Sequence, residues 1–188
     1  MASFSPTPKW RWQLDQQQVA LCYQQGVNYC SHQTPATLAM YANFTKFATC
    51  QDFCQDFTLE HAQLYWTFWH ALEPLQYPEQ GRFAASVDAT ACASFMAVQG
   101  QKSWYLQVVS QSYQPEIGEL VVLTGNTLGL ALVIQVAEQS SLVLLLEDLV
   151  SLSDKVIRSG QALCLLNNRL EPWRPMPSVH PHTVLKSA

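Results

Sequence analysis

The sequence predicts an α+β protein: a small N-terminal α/β portion, built from a β-meander and two or more helices, followed by a C-terminal, mostly antiparallel β-barrel-like portion. Three observations predict it. Short alternating apolar runs fill residues 10–30. Apolar residues then recur every three to four positions between 47 and 73. Beyond a breaker-rich crossing at 74–81, short apolar runs return with turn residues between them and little helical period. The expected divisions are 1–82, 83–171 and a proline-rich tail at 172–188.

Residues 1–8, with Pro6 and Pro8, are expected to be frayed. Trp10, Trp12 and Leu14 then fall on one face of a strand, with Arg11 and Gln13 on the other. A turn at Gln16–Gln18 leads to a second strand over Val19–Tyr23, stopped by Gly26, and Val27–Cys30 makes a third. Phe47, Cys50, Cys54 and Phe57 read as the apolar stripe of a helix. Thr58 is the expected N-cap of the next helix, with Glu60 near its positive end. That helix carries Ala62, Tyr65, Trp69 and Leu72 on one face, broadened by Trp66 and Phe68, and Pro74 ends it. Trp10, Trp12, Trp66 and Trp69 therefore point to one aromatic core between sheet and helices. Strands are expected at Ala91–Val98, Trp104–Ser110, Glu119–Thr124, Leu128–Val136, Leu142–Glu147 and Gln161–Leu166. Their turns are Gly100–Lys102, Gly125–Asn126 and Glu138–Ser140, a spacing typical of a small closed or half-closed barrel. The tail is expected to be ordered only where Trp173 or Val184 finds a groove.

Composition narrows the function classes. The 188 residues are 48% hydrophobic but only 13% charged, half the usual share of about 25%. Much of the deficit is made up by 20 scattered glutamines. The net charge is −4 and no basic run exists, which argues against a nucleic-acid binder. Residues 1–154 hold five basic and thirteen acidic side chains, a net −8, whereas 155–188 carry Lys155, Arg158, Arg169, Arg174 and Lys186 against Glu171, a net +4. A basic end on an acidic body steers toward an acidic protein partner; chance plus solubility accounts for the asymmetry equally well. The N-terminus lacks the apolar core of a secretory signal, and Leu128–Ile134, broken by Gln135, is far too short to span a membrane. A soluble protein that stays where it is made is expected. Its six cysteines (22, 30, 50, 54, 92, 164) then read as reduced, buried core residues.

No chemistry-bearing motif stands out. Cys50, Cys54, His61 and His70 have the look of a zinc set. On a helix, however, the nine residues from His61 to His70 turn roughly 900°, or half a turn beyond two, so the two imidazoles point apart. Cys30 and His32 form a thiol–imidazole pair with nothing to orient the ring. His180 and His182 lie in the tail. Asp52/Asp56 and Glu147/Asp148 read as solvated charges. Phosphate-binding loops, nucleophile elbows and metalloprotease signatures are absent from the sequence. Neither catalysis nor a cofactor is expected. The distinctive feature is an aromatic surplus at Tyr65–Trp69 that covers more than one helix face, leaving one or two rings at the edge of a groove able to capture a short apolar peptide. Two other classes remain open: a regulatory module using the same aromatic pocket for a small molecule, and a thiol- or metal-dependent enzyme.

Three motifs in register carry a resemblance. They are Trp10-Arg11-Trp12 with Asp15 and a strand ending in Gly26; Cys54-Gln55-Asp56-Phe57-Thr58-Leu59; and Ser159-Gly160-Gln161-Ala162-Leu163 followed by Leu166-Asn167-Asn168-Arg169-Leu170-Glu171-Pro172. In this order over residues 9–172 the chain resembles the ZapC family, Z-ring-associated cell-division proteins of gamma-proteobacteria. The resemblance implies a cytoplasmic protein at the division site that binds FtsZ polymers and promotes their side-by-side association, with no catalysis and no cofactor. It also implies an N-terminal α/β portion and a barrel-like C-terminal portion. Two departures stand out. The exit Glu73–Glu79 is acidic where the family tends to be basic, and Asn168 and Glu171 replace charged or oppositely charged residues. On this reading the partner groove is lined by Leu21, Trp66 and Trp69, with Arg11 and Arg82 as charge partners. Crosslinking filaments needs two contacts per link, from a weak homodimer or from two faces of one monomer.

Overall fold

Each described helix has two buried faces, because a helical layer lies between two antiparallel sheets. A computed structural model describes residues 4–14, 19–24, 27–30, 53–96, 103–109 and 113–175. The first sheet has the order β3-β2-β1-β4, from β1 (Arg11–Leu14), β2 (Val19–Gln24), β3 (Val27–Cys30) and β4 (Phe53–Asp56). The helices are α1 (Leu59–Ala71) and α2 (Glu79–Phe95), joined through a 3₁₀ turn at Glu73–Leu75. The second sheet uses β5 (Leu120–Thr124), β6 (Leu128–Val136), β7 (Ser140–Leu145), β10 (Ala162–Leu166) and β11 (Glu171–Pro172), in the order β10-β7-β6-β5-β11. Strands β8 (Leu149–Val150) and β9 (Val156–Ile157) form a separate two-stranded antiparallel sheet.

The α+β class therefore holds, but among the described residues the barrel does not close. The second sheet is open, with β10 and β11 at its edges. Strand β11 is only two residues long and ends in Pro172, which lacks the N–H needed to extend a ladder.

The first core is the expected aromatic one for Trp10, Trp12 and Trp69, but not for Trp66, which stays exposed. Trp10, Trp12, Leu21 and Phe57 pack against Tyr65 and Trp69 of α1 and Phe83, Val87, Ala91 and Phe95 of α2. Edge-to-face contacts dominate, such as Trp10–Tyr65 at 5.5 Å and Trp12–Phe95 at 5.5 Å. Phe68 and Leu72, from the other side of α1, enter a second core with Ala89 and Cys92 of α2 and the near face of the second sheet. A third core lies on the sheet's far face, around Val121, Leu123, Val133, Val143 and Leu163. Burial on both faces explains the apolar run over Gly129–Ile134, while Leu128 at its start is exposed.

Several expected elements differ. Ala91–Val98 is not a strand: residues 91–95 complete α2, and 97–98 lie outside the described residues. The helix forms because Phe83, Val87, Ala91 and Phe95 repeat every four residues. Its small Ser86, Ala89, Thr90 and Cys92 let it lie close between two sheets. Two of its buried hydroxyls are satisfied locally, Ser86 Oγ donating to the Arg82 carbonyl and Thr90 Oγ1 to the Ser86 carbonyl, each at 2.7 Å, while Ser94 Oγ has no partner among the described residues. Trp104–Ser110 is not a strand over its described part; Ser103–Tyr105 is a 3₁₀ turn. The following segment is held by isolated bonds rather than a ladder, among them Gln107 N–H to the Thr124 carbonyl and Val109 N–H to the Asn168 carbonyl, both 2.8 Å. Cys54 and Phe57 do not share a helical stripe. Cys54 lies on β4, which pairs with β1, while Phe47 and Cys50 fall outside the described residues. Nor is the N-terminus frayed from Phe4 onward: Phe4 packs on Phe83 at 4.6 Å, and its carbonyl accepts from Tyr65 Oη at 2.7 Å. At the far end, Trp173 packs against the second core and donates its N–H to the Leu120 carbonyl at 2.9 Å. Val184 lies outside the described residues.

Candidate functional site

Helix α1 begins at Thr58, as expected, but its cap has an unexpected second half. Thr58 Oγ1 accepts from the His61 N–H at 3.3 Å, and His61 Nδ1 accepts from the Thr58 N–H at 3.0 Å. This is a capping box with histidine where glutamate or glutamine is usual. The cap fixes which residues α1 turns outward. Leu59, Ala62 and Trp66, at positions i, i+3 and i+7, share its open face. Leu59 is exposed and Trp66 is 36% exposed.

At the C-terminal half of that face the side chains interlock. The Trp66 ring stacks on His70 with centroids 5.7 Å apart and meets Trp69 edge-on at 6.1 Å. Trp69 is nearly buried, and from α2 the Arg82 guanidinium lies 4.3 Å from its ring centroid, a cation–π contact. Arg82 Nη1 stands 3.5 Å from Glu73 Oε1, and His70 Nδ1 lies 3.8 Å from the same oxygen. The Arg82 side chain is only 21% exposed, and its buried Nε has no hydrogen-bond partner among the described residues. The surface thus offers flat rings, one half-buried cation and one carboxylate. At the N-terminal half, Pro6, Thr7, Pro8, Phe57, Thr58, Leu59 and Ala62 line an apolar groove of about 350 Å³.

The structure gathers three of the five expected partner residues. Trp66, Trp69 and Arg82 form one cluster. Leu21 does not join them at the surface: it is 0% exposed and pairs with Trp12 in the β1–β2 register, so it supports the core below. Arg11 points the other way. Strand alternation puts it on the face of the first sheet opposite Trp10 and Trp12, where it pairs with Asp56 at 3.3 Å. Sequence reading missed His70 and Glu73, whose i, i+4 and i+3 relations to Trp66 and His70 were a usable signal. It also missed the groove, whose wall comes from the N-terminal segment that Phe4 anchors.

The other candidate constellations separate. His61 is buried and His70 exposed, on different sides of α1. Cys92 and Cys164 are buried as expected, but Cys22 is half-buried and Cys54 exposed. Cys50, His32, Asp52, His180 and His182 lie outside the described residues. Asp148 accepts from Arg158 at 2.5 Å and from the Ser159 N–H at 2.8 Å, and these bonds hold its carboxyl below the ordinary range. Part of the basic end is therefore internally neutralised. The third motif acts as a staple. Leu166 N–H donates to Ser103 Oγ at 2.8 Å, Arg169 Nη1 to the Leu106 carbonyl at 3.2 Å, and buried Asn167 bonds Ser141, Gln114 and the 137–138 backbone.

Comparison with known proteins supports the family resemblance. The family described as Cell-division protein ZapC, C-terminal, matches residues 99–175. The chain is similar to the Cell division protein ZapC of Xenorhabdus bovienii, 28% identical over 173 residues that cover 89% of this chain and 91% of the relative. It is similar to that of Vibrio vulnificus, 27% identical over 179 residues, 94% of this chain and 96% of the relative. Over 122 residues it is 31% identical to that of Shewanella frigidimarina, 63% of this chain and 69% of the relative. The chain belongs to the ZapC family of cell-division proteins.

Proposed function

We propose that this protein binds FtsZ polymers in the cytoplasm at mid-cell and promotes their lateral association, gripping the filament without catalysing a reaction. The observation that supports this most is the Trp66–Trp69–Arg82 cluster. A partly exposed indole beside a half-buried guanidinium suits an apolar side chain flanked by a carboxylate. FtsZ filaments are acidic, and so is residues 1–154 of this chain, so the attraction must be local. Arg82 supplies it where Glu73 and Glu79 would otherwise repel. Arg11 and the basic end, through Arg174, offer further cations on other faces.

The test is co-sedimentation with polymerised FtsZ at two salt concentrations. Binding is expected to weaken with salt, and to fall with Arg82→Glu, which sets a carboxylate against Glu73 and removes the cation from Trp69. Trp66→Ala is expected to reduce pelleting with little loss of fold, because that ring already meets solvent. Undiminished pelleting of both variants would remove the cluster from the interface. The groove of about 350 Å³ favours a second reading, since it falls within the roughly 300–1,000 Å³ typical of small-molecule sites. A regulatory ligand there is expected to raise the melting temperature of the wild type, and less so that of an Ala62→Trp variant that fills the groove.

A further inference from the structure

His61 sits at a joint between two elements. Its Nδ1 lies 3.3 Å from Trp12 Nε1 and 3.0 Å from the Thr58 backbone nitrogen. Both neighbours are N–H groups that only donate, so Nδ1 must be the acceptor and Nε2 must carry the ring hydrogen. One imidazole nitrogen therefore serves β1 through Trp12 and the first turn of α1 through Thr58.

The ring is 7% exposed and enclosed by aromatic neighbours: Trp12 from β1 at 6.0 Å, Phe57 at 5.4 Å and Phe95 from α2 at 5.6 Å. Glu60, the residue before it on α1, is the charged side chain that acts on it, and the Asp56 backbone assists from β4. Phe95 is the residue α2 places against it, and the Arg11–Asp56 pair holds its charges on exposed side chains.

We propose that His61 is a proton-sensitive pin joining α1 to β1, whose protonation releases the helix cap and the Trp12 indole together. A proton added at Nδ1 would face two N–H groups, so both bonds break, and a cation would stand among rings rather than in water. Burial disfavours that cation and holds the imidazole below its ordinary range, against the smaller opposing pulls of Glu60 and the Asp56 backbone. The folded protein therefore binds this proton less well than the unfolded chain. The stabilisation is complete above the ordinary value of 6.5 and is lost as pH falls below it. The unfolding constant should rise by up to about tenfold per pH unit in that window, until the folded-state value is reached.

The experiment is nitrogen-edited NMR of the full chain from pH 7.5 to 5, with the Trp12 indole signal assigned from Trp12→Phe. The Trp12 indole and Thr58 amide signals are expected to move with one common midpoint below 6.5, while the Val133 amide of the second sheet stays still. His61→Gln, whose side-chain oxygen can still accept from Thr58 N–H, is expected to abolish that transition. Separate midpoints, no movement, or an unaltered transition in His61→Gln would each overturn the pin. Should that variant fail to fold, the wild-type imidazole still decides: a hydrogen found on Nδ1 at pH 7.5 refutes the assignment, and one on Nε2 upholds it.

Discussion

Replacing Asn167 by Ala tests whether the Leu166–Pro172 motif is a staple or a contact surface. The Asn167 Oδ1 accepts from Ser141 Oγ at 2.8 Å, and Nδ2 donates to Gln114 Oε1 at 3.3 Å, with the Ala137 and Glu138 carbonyls at 3.4 and 3.5 Å. Ser141 and Asn167 are both buried, so truncation strands a hydroxyl that water cannot reach. Leaving such a group without a partner costs about 1–3 kcal/mol, and each ordinary bond lost adds roughly 0.5–1.5. A destabilisation of about 2–4 kcal/mol is expected, which for a chain of this length lowers the melting temperature by roughly 5–15 °C. Urea and thermal denaturation measure it. Removing Ser141's hydroxyl as well should recover part of the loss, so Ser141→Ala/Asn167→Ala is expected to be milder than the two single effects combined by about 1 kcal/mol. An Asn167→Ala protein within about 0.5 kcal/mol of wild type, the range of an ordinary surface change, would refute the staple.

Two glycines should respond with opposite signs. A Cβ at Gly125 would sit 2.2 Å from the Val150 carbonyl oxygen, which also accepts from Asn126 N–H, so Gly125→Ala is expected to cost about 1–3 kcal/mol in denaturation. At Gly81, within α2, the nearest atom is 3.9 Å away, and Gly81→Ala should stabilise by roughly 0.5–1 kcal/mol. Among the thiols, exposed Cys54 is expected to react with a chromogenic disulfide in the native state. Cys92 and Cys164, whose thiols burial pushes up, should react only on unfolding, and Cys54→Ser should remove a fast phase.

Features set by neighbours in the chain were legible before the structure. The Trp10–Trp12 alternation, the Thr58 cap, the Tyr65–Leu72 helix and the long apolar strand Leu128–Val136 all follow from local period and capping chemistry. Helix α2 was obscured because it is buried on two sides. Its Ala, Ser, Thr and Cys positions gave no single apolar stripe, and only the four-residue recurrence of Phe83, Val87, Ala91 and Phe95 marked it. Strand β4 was hidden because it is four residues long and becomes a strand through pairing with β1. Arg82 and Trp69 were both nominated for the site, but their stacking joins two helices that the sequence does not place side by side.

What the amino-acid order determined by itself was the class, the family and the inventory: α+β, ZapC, many aromatic rings and few charges. Tertiary structure alone decided which rings are core and which meet solvent. It buried Leu21, turned Arg11 to the opposite face, left Trp66 open beside the Arg82-covered Trp69, and gave His61 two donors to hold. The reason is physical. Periodicity says which residues share a face, but exposure depends on how closely another element approaches that face, and that is set by contacts between segments distant in the chain.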